Sequence, residues 1–465
     1  MFRIVLRREL LHNLYSLRFL ISLVLILSIF AAGAVSFVRS QAQDLEKYRE
    51  TQNQYLENMR SLAAAGATEL AVRRQAYPLK LRESAFIADA KERYLPNAIV
   101  YSAWNVFGVP NRGGSANPFL VRFDELSWTF IAALVISFIA LLFTFDAVSG
   151  EKETKTLALS LANPVSRATL LWAKLASAVL SVMAMVVVGT LTSLLIILVL
   201  GRGGLTAALA GEVAGFLVIT ALLAGTFAAC GLFASVVSRN SNVSLLLALA
   251  FWLAFSVVIP NSSTFIAKAF FSIESSEAVE RRVEAAFDDL DKAAPPGSWM
   301  MNSGNPFLPQ HELRANLQMK RLVAEKGIRD AHYQAMFDQF ERTRLVTSAS
   351  PVSVFEYLAE AAAGGGYLRF RKDWDDLHIY QAQFLNFFKA LDAADSASPH
   401  WYNPSEDVST TRKPVAFEKV PQFEERPMSF ADRLAPALKY LIINVFMLSA
   451  VYFLAFILFV RYDVR

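Results

Sequence analysis

The sequence predicts an all-α membrane protein, with about six transmembrane helices and a mainly helical extracytoplasmic domain built from the 1–2 and 5–6 loops. Three observations predict it. Hydrophobic residues make up 54% of the 465-residue chain and charged residues only 18%, and the mean hydropathy is +0.36, outside the range of soluble globular proteins. Apolar runs of the roughly 20 residues needed to cross a hydrocarbon core recur along the chain. Lys and Arg cluster beside alternate ends of these runs, as the positive-inside rule requires of a multi-pass protein.

In chain order, the N-terminal stretch comes first. Leu6, Leu10 and Leu14 form a stripe with Arg3 and Arg7 close beside it, which reads either as an interfacial elbow helix or as a basic flank without defined structure. The first span is expected at 19–38. Arginines precede it and small residues follow, as in a secretory leader, but its apolar stretch exceeds the roughly 7 to 15 residues of a leader's core, so it reads as a retained span. Further spans are expected at 126–145, 175–200, 213–237, 243–260 and 437–460, none with Asp, Glu, Lys or Arg at its centre. Arg3, Arg7, Arg8, Arg18, Lys152, Lys155, Arg167, Lys174, Arg239 and Arg461 fall on one side. That side is read as the cytoplasm and holds both termini; Arg202, in the 3–4 loop, is the exception.

The net charge of +4 arises from these clusters, so it is an orientation signal and gives nucleic-acid binding no support. Cys230 is the single cysteine, which excludes an intrachain disulfide and a cysteine metal cluster. Gly189, Gly215, Gly225 and Gly231 lie within spans and suit close helix packing.

The chain thus divides into 1–38, 39–125, 126–260, 261–436 and 437–465, with the second and fourth segments outside. In 39–125, Leu45, Tyr48, Tyr55, Met59 and Leu62 alternate at spacings of three and four with Gln52 in register, so span one continues outward as a helix seeking a helical partner. In 261–436, Val279, Val283, Phe287 and Leu290 share a helical face, and a longer polar helix is expected from His311 to Thr343, weakened at Gly327. The stretch 399–427, rich in Pro, Ser, Thr and charge, predicts extended chain draped over the domain.

The most informative stretch is FDAVSGEKETKTLALSLANPVSRATLLWAK, residues 145–174. Gly150 allows a turn, and Glu151 and Glu153 sit where a helix N-terminus favours negative charge. Leu157 and Leu161, four apart, share one face of a short helix near 150–163. Asn163 and Pro164 are good N-cap and N1 residues, so the next helix is expected to begin at Pro164, with Ser166 and Arg167 at the membrane surface.

This segment resembles the membrane (permease) subunits of type V ABC exporters, especially the multicopper-enzyme-maturation and gliding-type permeases. Their loop reads like E-K-E-x-G-T-L-x-x-L-L-x-x-P-V-S-R, and Glu151, Lys152, Glu153, Thr156, Leu157, Leu161, Pro164, Val165, Ser166 and Arg167 fit it. Lys155 stands where that pattern has Gly, a departure that bears on the local turn. SPVSVFEYLAEAAAGGG at 350–366 resembles the family's outer segment before its last span, and RYDVR at 461–465 resembles its tail. The resemblance implies that the short helix is a coupling helix docking on a nucleotide-binding subunit. Glu151, Glu153, Thr156, Leu157, Leu161, Pro164, Ser166 and Arg167 would be its ATPase-coupling residues, with Glu151, Glu153 and Arg167 as charged contacts. It also implies a bacterial inner membrane, a second permease subunit of the same or a related chain, and ATP with Mg bound only by the partner ATPase; membrane lipid and an extracytoplasmic protein are further candidate partners.

No G-x-x-x-x-G-K-[ST] occurs in the sequence, so the chain lacks a P-loop of its own, and no hydrolase motif marks it as an enzyme. The spans place no ionisable residue near mid-membrane, as an ion-coupled carrier needs. His311, His332, His378 and His400, with Met300, Met301 and Met319, are expected outside, but no two histidines stand at metal-ligand spacing. The reading is an exporter subunit. Two alternatives keep their place: an ABC mechanotransmitter acting on extracytoplasmic partners, and a membrane scaffold or sensor that moves nothing.

Overall fold

A computed structural model describes every residue except 83, 89–97, 109–125, 163, 164, 202, 203, 205, 300–306, 405–409, 427 and 463–465. Helices dominate. α1 (Phe2–Leu14) is a short helix and α2 (Leu17–Ala65) a continuous one of 49 residues, followed by α3 (Ala67–Val72). Strands β1 (Gln75–Pro78), β2 (Ala98–Tyr101) and β3 (Val106–Gly108) form one antiparallel sheet in that order, with Gln75 opposite Tyr101. Next, α4 (Trp128–Ile131), a π-helical segment (Ala132–Ile136) and α5 (Ser137–Leu142) run as one helix. Two short helices, α6 (Ser149–Glu153) and α7 (Leu157–Ala162), precede α8 (Arg167–Leu200) and α9 (Ala207–Val237). α10 (Ser241–Trp252), a second π segment (Leu253–Val258) and α11 (Ile259–Asn261) again form one helix. α12 (Ser263–Phe270), α13 (Ser276–Lys292), α14 (Pro309–Thr347), α15 (Pro351–Ala363), α16 (Gly366–Ala393) and α17 (Phe430–Arg461) complete the chain.

Five helices are long and apolar enough to cross a membrane: α2, α8, α9, the α10–α11 helix and α17. The expected span at 126–145 is shorter than read. Its helix stops at Leu142, about 22 Å long, and turns carry the chain from Phe143 to Val148. It tolerates that length because Trp128, Ile131, Ala132, Ala133, Ile136, Ile139, Ala140 and Leu141 are all buried, so other helices rather than lipid meet most of its surface. α9 packs close to its neighbours through small residues. A Cβ on Gly231 would fall 2.8 Å from Leu141 O, which shows why glycine stands there.

One element of the fourth segment joins the apolar helices. In α15, Val352, Val354, Phe355, Leu358 and Ala359 are buried in the same apolar cluster as α5 and α9. Its apolar composition makes this favourable, and its ends are sealed. Ser350 Oγ accepts from Val352 N at 3.1 Å and Ser353 N at 3.2 Å and donates to Phe255 O in the second π segment. At the other end Gly364 takes φ +65°, and Arg82 donates to Ala363 O at 2.6 Å, a cation at a helix C-terminus. Glu360 is buried against Arg344, and its other oxygen accepts from Tyr367 N at 2.6 Å.

The remaining segments form a distal domain with its own core of Tyr55, Met59, Tyr101, Phe337, Trp374, Tyr380 and Phe384. α2 continues past its apolar stretch as one helix, and its buried Tyr55 and Met59 belong to the distal core, where Tyr55 meets the small sheet; Tyr55 and Tyr101 hydroxyls lie 2.7 Å apart. α14 runs through Gly327 without a break. The draped tail is present where described: Val415 N donates to Ala63 O at 2.8 Å, and Ala67 N to Lys413 O at 3.0 Å.

Candidate functional site

The segment between α5 and α8 is held in place by side chains of four other helices. Ser235 of α9 caps α6, its Oγ accepting from Val148 N at 2.8 Å and Ser149 N at 2.9 Å, the role a local N-cap residue normally fills. Ser244 of α10 donates to Phe145 O. Glu153 Oε2 accepts from Ser241 N at 3.2 Å, at the start of α10. Lys152 donates to Ser238 O at 3.0 Å, placing its charge at the carbonyl end of α9, and burial lowers its ammonium from the ordinary value.

Glu151 forms an ion pair with Lys174 of α8 at 2.7 Å, and the same ammonium lies 3.4 Å from Glu9 of α1; the Lys174 side chain is only 4% exposed. Arg18, in the first turn of α2, pairs with Asp146 at 2.6 Å. Arg167 turns away from the segment: its Nη1 donates to Phe459 O, Val460 O and Tyr462 O at 2.9, 2.7 and 2.9 Å, capping the C-terminus of α17. Of the three expected charged contacts, Glu151 and Arg167 are therefore engaged within the chain, and Glu153 is exposed while holding the Ser241 amide.

The short helix is two helices, broken at 154–156. Lys155 has φ +56°, so it adopts the left-handed turn for which the resembling pattern uses Gly, at a backbone cost of roughly 1 kcal/mol. Thr154 and Thr156 hydroxyls lie 2.9 Å apart across that turn. In α7, Leu157 is buried and Leu161 packs partly against the membrane core, the shared inward face that their spacing predicts. Leu159, between them, is 70% exposed, and Thr156, Ala158 and Ala162 are exposed beside it. Leu159 was not among the sequence candidates. The signal was present: when positions 157 and 161 face in, 159 faces out. Pro164 lies outside the described residues. The next helix starts at Arg167 rather than Pro164, because Ser166 supplies the cap, its Oγ accepting from Thr169 N at 3.1 Å.

Among the described residues no group of three or more His, Cys, Asp and Glu side chains is placed to hold a metal. His400 Nδ1 lies 2.6 Å from the buried Asp392, His378 Nδ1 lies 2.9 Å from Trp374 O, and Met300 and Met301 lie outside the described residues.

A family model described as ABC-2 family transporter protein matches residues 3–464. The chain belongs to the ABC-2 transporter family. An ABC-2 membrane protein of this kind is the permease part of an ABC transporter, a multi-pass component that works with a nucleotide-binding partner and is not generally catalytic itself. None of the curated proteins compared with this ABC-2 chain matches it.

Proposed function

We propose that this chain is the membrane-spanning subunit of an ATP-driven exporter in a bacterial inner membrane, and that its separate ATPase seats on the exposed strip of α6 and α7. In this reading the 128–142 helix joins the five longer ones as a sixth span, both termini and the α6–α7 pair lie in the cytoplasm, and the distal domain lies outside. A second permease subunit, the same chain or a related one, completes the path; ATP and Mg belong to the ATPase. The observation that carries the reading is the contrast between the two faces of the segment. Its inner face is fastened to α8, α9 and α10 by Glu151, Lys152, Glu153 and the caps from Ser235 and Ser244. Its outer face presents Thr156, Ala158, Leu159 and Ala162. A segment bonded to several spans transmits a rigid-body shift, because packed helices move as units. An outward leucine in a shallow apolar strip gains about 1.5 to 3 kcal/mol when a partner covers it.

The mechanotransmitter reading has a specific observation in its favour: α2 runs unbroken from the membrane half into the distal core. Both readings keep the ATPase and the same seat for it. They part on cargo, which the mechanotransmitter does not carry.

The test is affinity purification of the tagged chain from its native membrane in mild detergent. Recovery of a P-loop ATPase is expected, with at least a tenfold loss of that ATPase from Leu159→Asp at unchanged yield of the chain. Recovery of the chain without an ATPase, or with envelope proteins alone, moves the protein to the scaffold or sensor class.

A further inference from the structure

We propose that Lys174, together with the Arg18–Asp146 pair, passes displacement of the α6–α7 segment to the foot of α2, and that α2 carries it as a lever into the distal domain. The inference rests on the reading of α6–α7 as the ATPase seat. Its starting point is the placement of ions at the base of a single long helix. Lys174 is almost fully buried and holds Glu151 of α6 at 2.7 Å and Glu9 of α1 at 3.4 Å. The second oxygen of Glu151 is buried without a hydrogen-bond partner, so this one ammonium is the charge that makes two carboxylates from two segments compatible with burial. Asn13, at the end of α1, donates to Ser177 of α8 at 3.4 Å, which keeps α1 against the same helix.

From α1 the connection to α2 is short. Ser16 caps α2 by accepting from Phe19 N at 3.2 Å, and two residues later Arg18 reaches Asp146, in the turn that opens α6. The foot of α2 is thus tied to the α6 segment by two separate ionic links: through α1, Glu9 and Lys174 to Glu151, and directly through Arg18 to Asp146. α2 has 49 residues and no break, a length of about 73 Å. Its far end is built into the distal domain, with Tyr55 and Met59 in the core and Ala63 O accepting from Val415 N at 2.8 Å. A helix anchored by side chains at one end and by a core at the other moves both ends together.

The experiment uses the full chain with its ATPase in lipid nanodiscs. Nitroxide labels go on Glu57→Cys, exposed on the distal part of α2, and Leu438→Cys, exposed on α17; the buried Cys230 stays. Pulsed EPR reads the distance between labels with and without ATP and vanadate. The expected result is an ATP-dependent shift in the distance that is lost in Lys174→Met with the ATPase still attached and hydrolysing, and kept in Lys174→Arg, which preserves the positive charge toward both Glu151 and Glu9. Arg18→Ala, at an exposed position that tolerates truncation, reduces the shift and guards against a Lys174 variant that does not fold. A full shift in Lys174→Met and Arg18→Ala overturns the proposal while leaving the ATPase seat intact. Loss of the ATPase from Lys174→Met also overturns it, because Lys174 then shapes the seat. A wild-type chain that recruits no ATPase overturns the underlying reading and this one with it.

Discussion

Asp373, on α16 of the distal domain, is a carboxylate with only 3% exposure. Burial pushes its carboxyl up to about 7, against the opposing charge of Arg369 and with Glu425 adding to the rise. An unfolded aspartate titrates near 4, so between about pH 4 and pH 7 the folded state holds a proton that the unfolded state has released. Stability from this group therefore falls as pH rises through that window and is level above it. The expected outcome is that Asp373→Asn is stabilised relative to the parent chain at pH 8 and that the difference shrinks toward pH 5, read as thermal midpoints in detergent. A difference independent of pH contradicts the assignment. At this scale the sequence was partly legible. It marked Glu151, Glu153 and Arg167 as charges at a surface, but the partners of Glu151 and Arg167 are distant in the chain: Lys174 on α8 for Glu151, and the carbonyls of Phe459, Val460 and Tyr462 for Arg167. Spacing reports neighbours along one helix and not those brought by the fold. The Gly-to-Lys departure at 155 illustrates the reverse: the turn survives the substitution, since the chain on both sides is bonded in place.

Among elements, α15 is the most exacting. A short apolar helix inside the membrane half has both its backbone ends to satisfy without water, which Ser350 and Arg82 do. Its one buried acid, Glu360, meets Arg344 of α14, whose guanidinium also lies over the Tyr357 ring at 4.3 Å. Removing one member of a buried pair leaves an uncompensated charge, so Glu360→Ala is expected to destabilise by about 3 to 5 kcal/mol, while Arg344→Met with Glu360→Met recovers most of that. Thermal unfolding of purified protein checks it; a change below about 1 kcal/mol in Glu360→Ala means that water reaches the pair. The long elements α2, α8, α9, α14 and α17 were legible because periodicity accumulates over many turns. Two features were not. The strands are three or four residues long, too short for alternation to register, and α15 sits between polar stretches that place it, by hydropathy alone, outside the membrane.

At the scale of the whole molecule, two separate cores define two halves joined by α2, α12, α14 and the α15–α16 corner. Composition and apolar runs made the membrane half legible; the distal half gave only its helical bias, because its core is assembled from segments far apart in sequence. In the proposed function, the α6–α7 strip is where a separate ATPase meets this ABC-2 chain. The most direct measurement is photo-crosslinking in native membranes from a photoreactive residue at position 159, with position 57 on the distal part of α2 as control. The expected result is an ATP-sensitive crosslink from 159 to a P-loop ATPase and none from 57. A crosslink from 57 to that ATPase, or only lipid and envelope proteins captured at 159, contradicts it.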